Sequence, residues 1–381
     1  MEQIARKIQM VDLVAQYEKI QPEIDAAVLN VIRSAAYING PEVKAFQAEL
    51  EQYLGVKHVI PCANGTDALQ IAMMALGLQP GDEVITADFT YVATAEVIAL
   101  LGLRPVLVDV NPDTFDINVD AVEKAITPKT KAIVPVHLFG QCADMERLMA
   151  LAKKHSLFVI EDTAQAIGAE YALSNGTKQK AGTIGHVGCT SFFPSKNLGC
   201  YGDGGAMYTN DDELAKKIRM IANHGQSVLY HHDSIGVNSR LDSVQAAVLR
   251  IKLRHLDEYA HARNAAANYY DNAFAGNAKL RTPARVKNST HVFHQYTLQL
   301  NGVDRQALRD HLLAKGVPSM IYYPIPLHMQ KAYRDPRYKE GDFPVTEQLC
   351  ASVLSLPMHS ELDEATLKLI TGSVLEFVNK N

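Results

Sequence analysis

The chain has no stretch of eighteen or more apolar residues, no internal repeat and no low-complexity tract. A membrane span and a repeat architecture are therefore not expected. Basic charge is not in excess either. Against 37 Lys and Arg stand 42 Asp and Glu, a formal net charge of −5, so the electrostatic footprint of a nucleic-acid binder is missing. Cysteine is sparse: Cys62, Cys142, Cys189, Cys200 and Cys350 lie far apart. Without the paired spacing of a zinc site or a disulfide framework, they read as reduced thiols of a cytoplasmic protein. His137, His224, His231, His232 and His328 show no ligand spacing on one face, and no metal is assigned. The segment Met1-Glu-Gln-Ile-Ala-Arg-Lys-Ile8 carries charge but no following apolar run of signal-peptide length.

What is present is an alternation. Short β-rich runs at 58–61, 83–86, 105–109, 132–136, 157–161, 188–192 and 205–209 are separated by helical patterns near 66–78, 92–102, 119–126, 144–154 and 211–223. Strands alternating with helices predict an α/β fold with a mostly parallel sheet covered on both faces. Ligands of such sheets bind beyond the carboxyl ends of the strands, where Asp88 and Asp162 fall. At 381 residues two domains are expected: a large one over 1–250 with an N-terminal helical segment, and a smaller α+β one over 251–381. A long amphipathic helix is predicted from Leu241 to about Phe274, with a break near Glu258-Tyr-Ala-His261. Beyond it, His294–Leu300 and Pro318–Tyr322 read as strands, and 304–315 and 363–379 as helices. The two prolines of Tyr323-Pro-Ile-Pro-Leu-His328 exclude regular structure there.

Two features of the first half belong together chemically. The apolar run Leu157-Phe-Val-Ile-Glu-Asp162 ends in a carboxylate, and Ser191-Phe-Phe-Pro-Ser-Lys196 places a lysine between aromatic residues and the glycines that follow it. Alone, Asp162 reads as a helix N-cap and Lys196 as a solvated surface group. Together they match what pyridoxal phosphate requires: an amine for a Schiff base with the aldehyde, and an acid to keep the pyridinium nitrogen charged. Gln165 is within reach of the ring oxygen, and Ser191 is a candidate phosphate ligand. Asn64-Gly65-Thr66-Asp67 opens a helix and reads equally as a phosphate turn or as an ordinary turn with its cap. Phe89, just past a strand, is either a ring that stacks on the cofactor or a core aromatic. Asn238 and Arg240 precede a helix, where Arg240 suits a carboxylate or pyrophosphate.

With these stretches in view, the chain resembles the DegT/StrS family of nucleotide-sugar aminotransferases, from about Gln9 to the last helix. The likeness rests on Cys62-Ala-Asn-Gly-Thr-Asp-Ala-Leu-Gln70, Glu161-Asp-Thr-Ala-Gln165, Ser191–Lys196 and Gly236-Val-Asn-Ser-Arg240-Leu-Asp242. It implies a fold-type-I, pyridoxal-phosphate-dependent enzyme with a seven-stranded, mixed but mostly parallel sheet. It also implies roles: Lys196 as cofactor anchor and proton shuttle, Asp162 on the ring nitrogen, and Gln165 on the ring oxygen. Gly65, Thr66 and Ser191 would hold the phosphate, and Phe89 would stack on the ring. Asn238 would reach the phosphate of the neighbouring subunit of a homodimer, with Arg240 meeting a charged substrate group.

The resemblance further implies a reaction in which L-glutamate converts the cofactor to pyridoxamine 5'-phosphate, which then aminates a nucleotide-linked oxo sugar. Tyr91-Val-Ala-Thr-Ala-Glu96, Phe139-Gly-Gln-Cys-Ala-Asp144, Gly199–Gly205 and Tyr323-Pro-Ile-Pro-Leu327 are most similar to the branch acting on UDP-2-acetamido-2-deoxy-3-oxo-D-glucuronate. Its 3-amino product feeds surface polysaccharides such as lipopolysaccharide O-antigen. That branch has a His-Tyr pair where this chain has Tyr322-Tyr323, which with His328 are candidate substrate-binding residues. A neutral phenol there keeps dTDP-linked 3-oxo- or 4-oxo-6-deoxy sugars as the alternative. A family relative that dehydrates sugars carries histidine in place of the lysine, so Lys196 argues against that chemistry. A non-catalytic regulatory protein on the same fold is the third reading, disfavoured by the retained lysine and by the lack of a basic or helix-turn-helix segment.

Overall fold

The computed structural model describes residues 7–380; the first six residues of the segment read above for a leader lie outside them. Two helices open the chain, α1 (Leu13–Ser34) and α2 (Pro41–Leu54). Asp12 caps α1 by accepting the Ala15 N–H at 2.8 Å, and Pro41 starts α2 where a missing N–H costs nothing. The expected alternation follows: β1 (His58–Cys62), α3 (Gly65–Ala75), β2 (Glu83–Ala87), α4 (Ala93–Leu100), β3 (Arg104–Val108), α5 (Val119–Ala125), β4 (Thr130–Val134), α6 (Met145–His155) and β5 (Phe158–Asp162). A hairpin of β6 (Glu170–Ala172) and β7 (Lys178–Lys180) comes next, then β8 (Val187–Ser191), β9 (Gly205–Thr209) and α7 (Asp212–Ala222). A second small hairpin, β10 (Gln226–Val228) and β11 (His231–His232), leads to α8 (Ser243–Arg254) and α9 (Leu256–Phe274). The chain ends with β12 (Leu280–Arg281), β13 (Tyr296–Leu300), α10 (Arg305–Ala314), α11 (Pro344–Ser352), β14 (Val353–Leu356) and α12 (Glu364–Lys380).

Seven strands form one sheet in the order β1-β9-β8-β5-β4-β2-β3. From β8 to β3 the neighbours are parallel, whereas β9 runs antiparallel to both β8 and β1. The central strands are apolar on both faces because both are covered: Val84, Ile85, Ile133, Val134, Val159 and Ile160 are all fully buried. Ile71 and Ala72 of α3 and Ile218 of α7 fill one side, and Leu148 and Ala152 of α6 the other. A separate apolar cluster joins α10, α12 and the end of α9 to the three-stranded antiparallel sheet β12-β13-β14, around Tyr270, Phe274, Leu298, Leu308 and Ile370.

Three expectations need correction. Pro318–Tyr322 is not a strand; it makes a single bridge, Met320 to Ser355, and the true third strand, β14, went unread in an apolar run behind α11. The long helix breaks at His255, not near Glu258. The helical segment before β1 is two helices, and α2 and α8 enclose Phe46, Leu50 and Leu249 against Phe192.

The C-terminal part is tied to the large sheet by two carboxylates past the ends of neighbouring strands. Asp109, after β3, accepts the N–H groups of Val345 and Thr346 at 3.1 and 2.9 Å and the Thr346 hydroxyl at 2.8 Å. It thereby caps α11 from across the chain, since Phe343 at the cap position offers no acceptor of its own. Asp88, after β2, accepts the His328 N–H at 2.8 Å and pairs with its Nδ1 at 2.6 Å. Replacing Asp109 by Ala removes three charge-assisted bonds at a helix start. It is expected to lower the stability measured by urea denaturation by about 1.5–3 kcal/mol; an unchanged midpoint would contradict this cap.

Candidate active site

A cavity of about 870 Å³ opens where β5 and β8 end and α3 begins, the position the topology of a parallel sheet assigns to ligands. Asp162 is the last residue of β5 and lines it. Its Oδ2 accepts the Thr94 hydroxyl at 2.9 Å and its Oδ1 the Ala164 N–H at 3.1 Å. Burial raises its carboxyl above the ordinary range, while those bonds and the charges of Lys196 and His137 pull it back.

Lys196 lines the same cavity from the loop after β8. The loop is fixed at both flanks: the Lys196 N–H donates to the Phe193 carbonyl at 2.8 Å, and Asn197 Nδ2 to the Val292 carbonyl at 2.9 Å. Burial lowers the lysine ammonium to about 8, against the opposing pull of Asp162. At pH 7 that makes the neutral amine roughly 300 times more abundant than in a lysine with the ordinary value.

The turn Asn64–Asp67 starts α3 at the cavity rim. Asn64 caps the helix by accepting the Asp67 N–H at 2.8 Å, which leaves the first N–H groups, Gly65 and Thr66, without helical partners. Gly65 is required by approach: a Cβ there would fall 2.6 Å from the Cβ of Ser191. Gly65, Thr66 and Ser191 are thus drawn into one wall, an N-terminal helix cradle suited to a phosphate.

Gln165 is held by its neighbours, with Oε1 accepting the Phe139 N–H at 2.8 Å and Nε2 donating to the Tyr323 hydroxyl at 3.2 Å. Tyr322 and Tyr323 both line the cavity. Four sequence-predicted residues are not brought to its wall. Phe89 is 1% exposed and packs beside Phe115 and Phe139 behind the cavity, its ring 6.0 Å from that of Tyr323. The core-aromatic reading prevails over stacking on the cofactor; Thr90 and Tyr91 occupy the wall instead. His328 is buried in its pair with Asp88, so it anchors the loop that follows Tyr322-Tyr323 and does not face substrate. Asn238 is exposed and Arg240 partly so; Ser239 between them donates to Asp67 at 2.7 Å, which fastens their loop beside the turn while leaving both outside this chain's cavity.

Sequence reasoning passed over Thr94, Tyr91, His294 and Gln295. A hydroxyl on the buried face of an otherwise apolar helix was the signal for Thr94. No local pattern set His294 apart at the start of a strand. Among the described residues, no group of three or more His, Cys, Asp or Glu side chains is placed to hold a metal, and all five cysteines are buried and free. Among the described residues no helix is long and apolar enough to cross a membrane.

This geometry, a lysine and an acid across one cavity with a helix N-terminus at its rim, is that of a fold-type-I pyridoxal-phosphate enzyme. The profile of the DegT/DnrJ/EryC1/StrS aminotransferase family matches residues 18–375, and the chain belongs to that family. It is 48% identical over 367 residues, 96% of this chain and 99% of the other, to UDP-2-acetamido-2-deoxy-3-oxo-D-glucuronate aminotransferase of Pseudomonas aeruginosa. It is 47% identical to a pleiotropic regulatory protein of Geobacillus stearothermophilus (97% and 98% covered) and to UDP-N-acetyl-3-dehydro-alpha-D-glucosamine 3-aminotransferase of Acidithiobacillus ferrooxidans (95% and 96%). Among solved structures, DesV of S. venezuelae superposes with a TM-score of 0.94 at 40% identity, covering 98% of this chain and 99% of that one. NtdA of Bacillus subtilis with bound pyridoxamine phosphate does so with 0.89 at 30%, covering 99% and 86%.

The protein is an aminotransferase whose cofactor is pyridoxal 5'-phosphate, with pyridoxamine 5'-phosphate as the intermediate form. The residues present fit that group. A backbone cradle stands at Gly65 that a Cβ would fill, a carboxylate and an amine share the cavity, and the buried Thr90 Oγ1 of its wall has no hydrogen-bond partner among the described residues. One titration follows from Lys196. Because its amine is neutral above about pH 8, capture of pyridoxal phosphate by cofactor-free protein is expected to quicken about tenfold per pH unit up to that point and then level off. Stopped-flow absorbance across pH 6–10 checks it; a rise continuing undiminished up to pH 10 would mean an amine of ordinary basicity.

Proposed function

We propose that this chain moves the amino group of L-glutamate to the oxo carbon of a 3-oxo nucleotide sugar, with UDP-2-acetamido-2-deoxy-3-oxo-D-glucuronate first among acceptors. The product is a 3-amino sugar for surface polysaccharide, such as the O-antigen of lipopolysaccharide. The observation that carries the reading is the shared, desolvated cavity of Lys196 and Asp162; the names of the two UDP-sugar relatives at 48% and 47% identity support the acceptor. Pyridoxal phosphate bound there supplies an electron sink and a carrier for the amino group.

The chain's own residues do the rest. Asp162, oriented by Thr94 and the Ala164 N–H, holds a proton on the ring nitrogen. Lys196 takes the proton from the donor's α-carbon and later delivers one to the sugar carbon, a task suited to an amine that titrates near neutrality. Gln165, fixed by Phe139 and Tyr323, donates to the ring oxygen. Gly65, Thr66 and Ser191 hold the phosphate. Tyr322 and Tyr323 meet the sugar, held in place by the His328–Asp88 pair farther along their loop.

Asn238 and Arg240 lie outside their own cavity, beside a hairpin that exposes Leu229, Tyr230 and Ile235. This arrangement supports a homodimer in which each loop completes the other subunit's site, Asn238 at the phosphate and Arg240 at a substrate charge; the enzyme is read as cytoplasmic. The separate apolar cluster around β12–β14 supports a division into a large unit to about residue 250 and a smaller one beyond. The alternative acceptor, a dTDP-linked 3-oxo- or 4-oxo-6-deoxy sugar, has one observation in its favour. The phenol of Tyr322, which burial keeps neutral, lines the cavity where a uronate would welcome a cation.

A single-turnover experiment tests the reading. Glutamate should bleach the visible band of the holoenzyme. After removal of excess donor, the UDP-linked 3-oxo uronate should restore it and yield an aminated sugar by mass. Bleaching without restoration would move the acceptor to the dTDP sugars, and no bleaching would overturn the aminotransferase reading. Lys196→Ala is expected to lose the band and to cut turnover by about 10²–10⁴-fold or more; normal turnover in that variant would contradict its role.

A further inference from the structure

Besides Lys196 and Asp162, the cavity is lined by an imidazole to which the reading above gives no work. His294 is 5% exposed, and its backbone is pinned on two sides. Its N–H donates to the Phe139 carbonyl at 2.8 Å, and Arg263 Nη1 donates to the carbonyls of Phe293 at 3.0 Å, Met358 at 2.9 Å and His294 itself at 3.4 Å. Gly140 allows the approach: at φ +115° it presents no side chain, and a Cβ there would fall 3.0 Å from the His294 nitrogen. The bond from Asn197 to the Val292 carbonyl then links this segment to the lysine loop, so His294 and Lys196 are held in one frame.

The chemistry of the ring is constrained as well. Burial, then the charges of Lys196 and of Arg263, hold the imidazole well below its usual basicity, so it is uncharged at working pH. Nδ1 is sealed from solvent and has no hydrogen-bond partner among the described residues. An N–H buried without an acceptor is costlier than a bare acceptor lone pair, which places the proton on Nε2, the nitrogen left to face the cavity. A histidine that only filled space would not need a rigid backbone frame shared with the lysine.

We propose that His294 is a catalytic residue of the transfer: its Nε2–H donates a hydrogen bond to the substrate oxygen on the carbon that exchanges oxo for amino, polarising that carbonyl while the proton stays on the ring. The inference rests on the aminotransferase reading. An uncharged donor stabilises charge developing on the oxygen without placing a second cation beside Lys196. Because one cavity serves both halves of the reaction, the same contact acts on the oxygen of the oxo sugar and on that of the 2-oxo acid formed from the donor. Both half-reactions therefore depend on it.

The test uses holoenzyme carrying His294→Phe or His294→Gln, with the glutamate and oxo-sugar half-reactions followed separately by the visible band. His294→Phe is expected to slow both by similar factors of about 10²–10³, with cofactor capture unchanged, and His294→Gln, an uncharged donor, to recover most of the loss. Unchanged rates in His294→Phe would overturn the proposal. So would slowing confined to the sugar half, which would make His294 a specificity contact. A readout independent of turnover is the ¹⁵N spectrum of the cofactor-free protein, with His294→Gln identifying the resonance. An Nε2–H tautomer with no titration between pH 6 and 9 is expected, and an imidazolium or an Nδ1–H tautomer would refute the assignment even if His294→Phe does not fold. Wild-type enzyme that fails to react with glutamate would instead sink the aminotransferase reading.

Discussion

The carboxylate of Asp162 and the amine of Lys196 share one desolvated cavity, where burial pushes each toward its neutral form and each draws the other back toward charge. The rest of the site follows from keeping these two groups there. Thr94 and the Ala164 N–H give Asp162 two donors that favour its ionised form. Among the described residues no carboxylate hydrogen-bonds Lys196, and burial lowers its amine to about 8. A full salt bridge would hold the lysine charged and idle; a site without the acid would leave the ring nitrogen unsupported.

The sheet places the acid directly and carries the lysine on the loop that leaves β8. Asp162 ends β5 and Ser191 ends the adjacent parallel strand β8, so the acid and the phosphate wall are separated by one strand spacing. The C-terminal part closes over them through contacts made by side chains that never touch substrate. Asp109 caps α11, Asp88 holds His328, and Arg263 gathers three carbonyls around the segment that carries His294. Each is a buried or half-buried ionic group that bonds backbone, Asp109 and Asp88 adding a side-chain partner as well, Thr346 and His328.

How much of this was legible depends on range. The alternation of strands and helices, the acid at the end of a strand, the lysine loop and the glycine turn are all short contiguous patterns, and the fold has these elements with boundary shifts of up to three residues. What local pattern cannot encode is which of two faces a side chain takes once distant segments pack. Phe89 lies one residue from the cavity wall yet turns into the core, because Phe115 and Phe139, far along the chain, offer it an aromatic pocket. His328 carries a motif that reads as substrate-binding, but Asp88, 240 residues away, claims its ring. His294 is the converse: an unremarked residue just ahead of β13 becomes a cavity residue because Gly140 and Arg263 bring it there. The Pro318–Tyr322 run reaches the outer edge of β14 but pairs there only at Met320.

The central claim is that Lys196 is the cofactor's covalent anchor. Reduction of the holoenzyme with borohydride, followed by peptide mapping, tests it directly. The account predicts the reduced cofactor on the peptide containing Lys196 and on no other. A label on another lysine, with Lys196 unmodified, would contradict it.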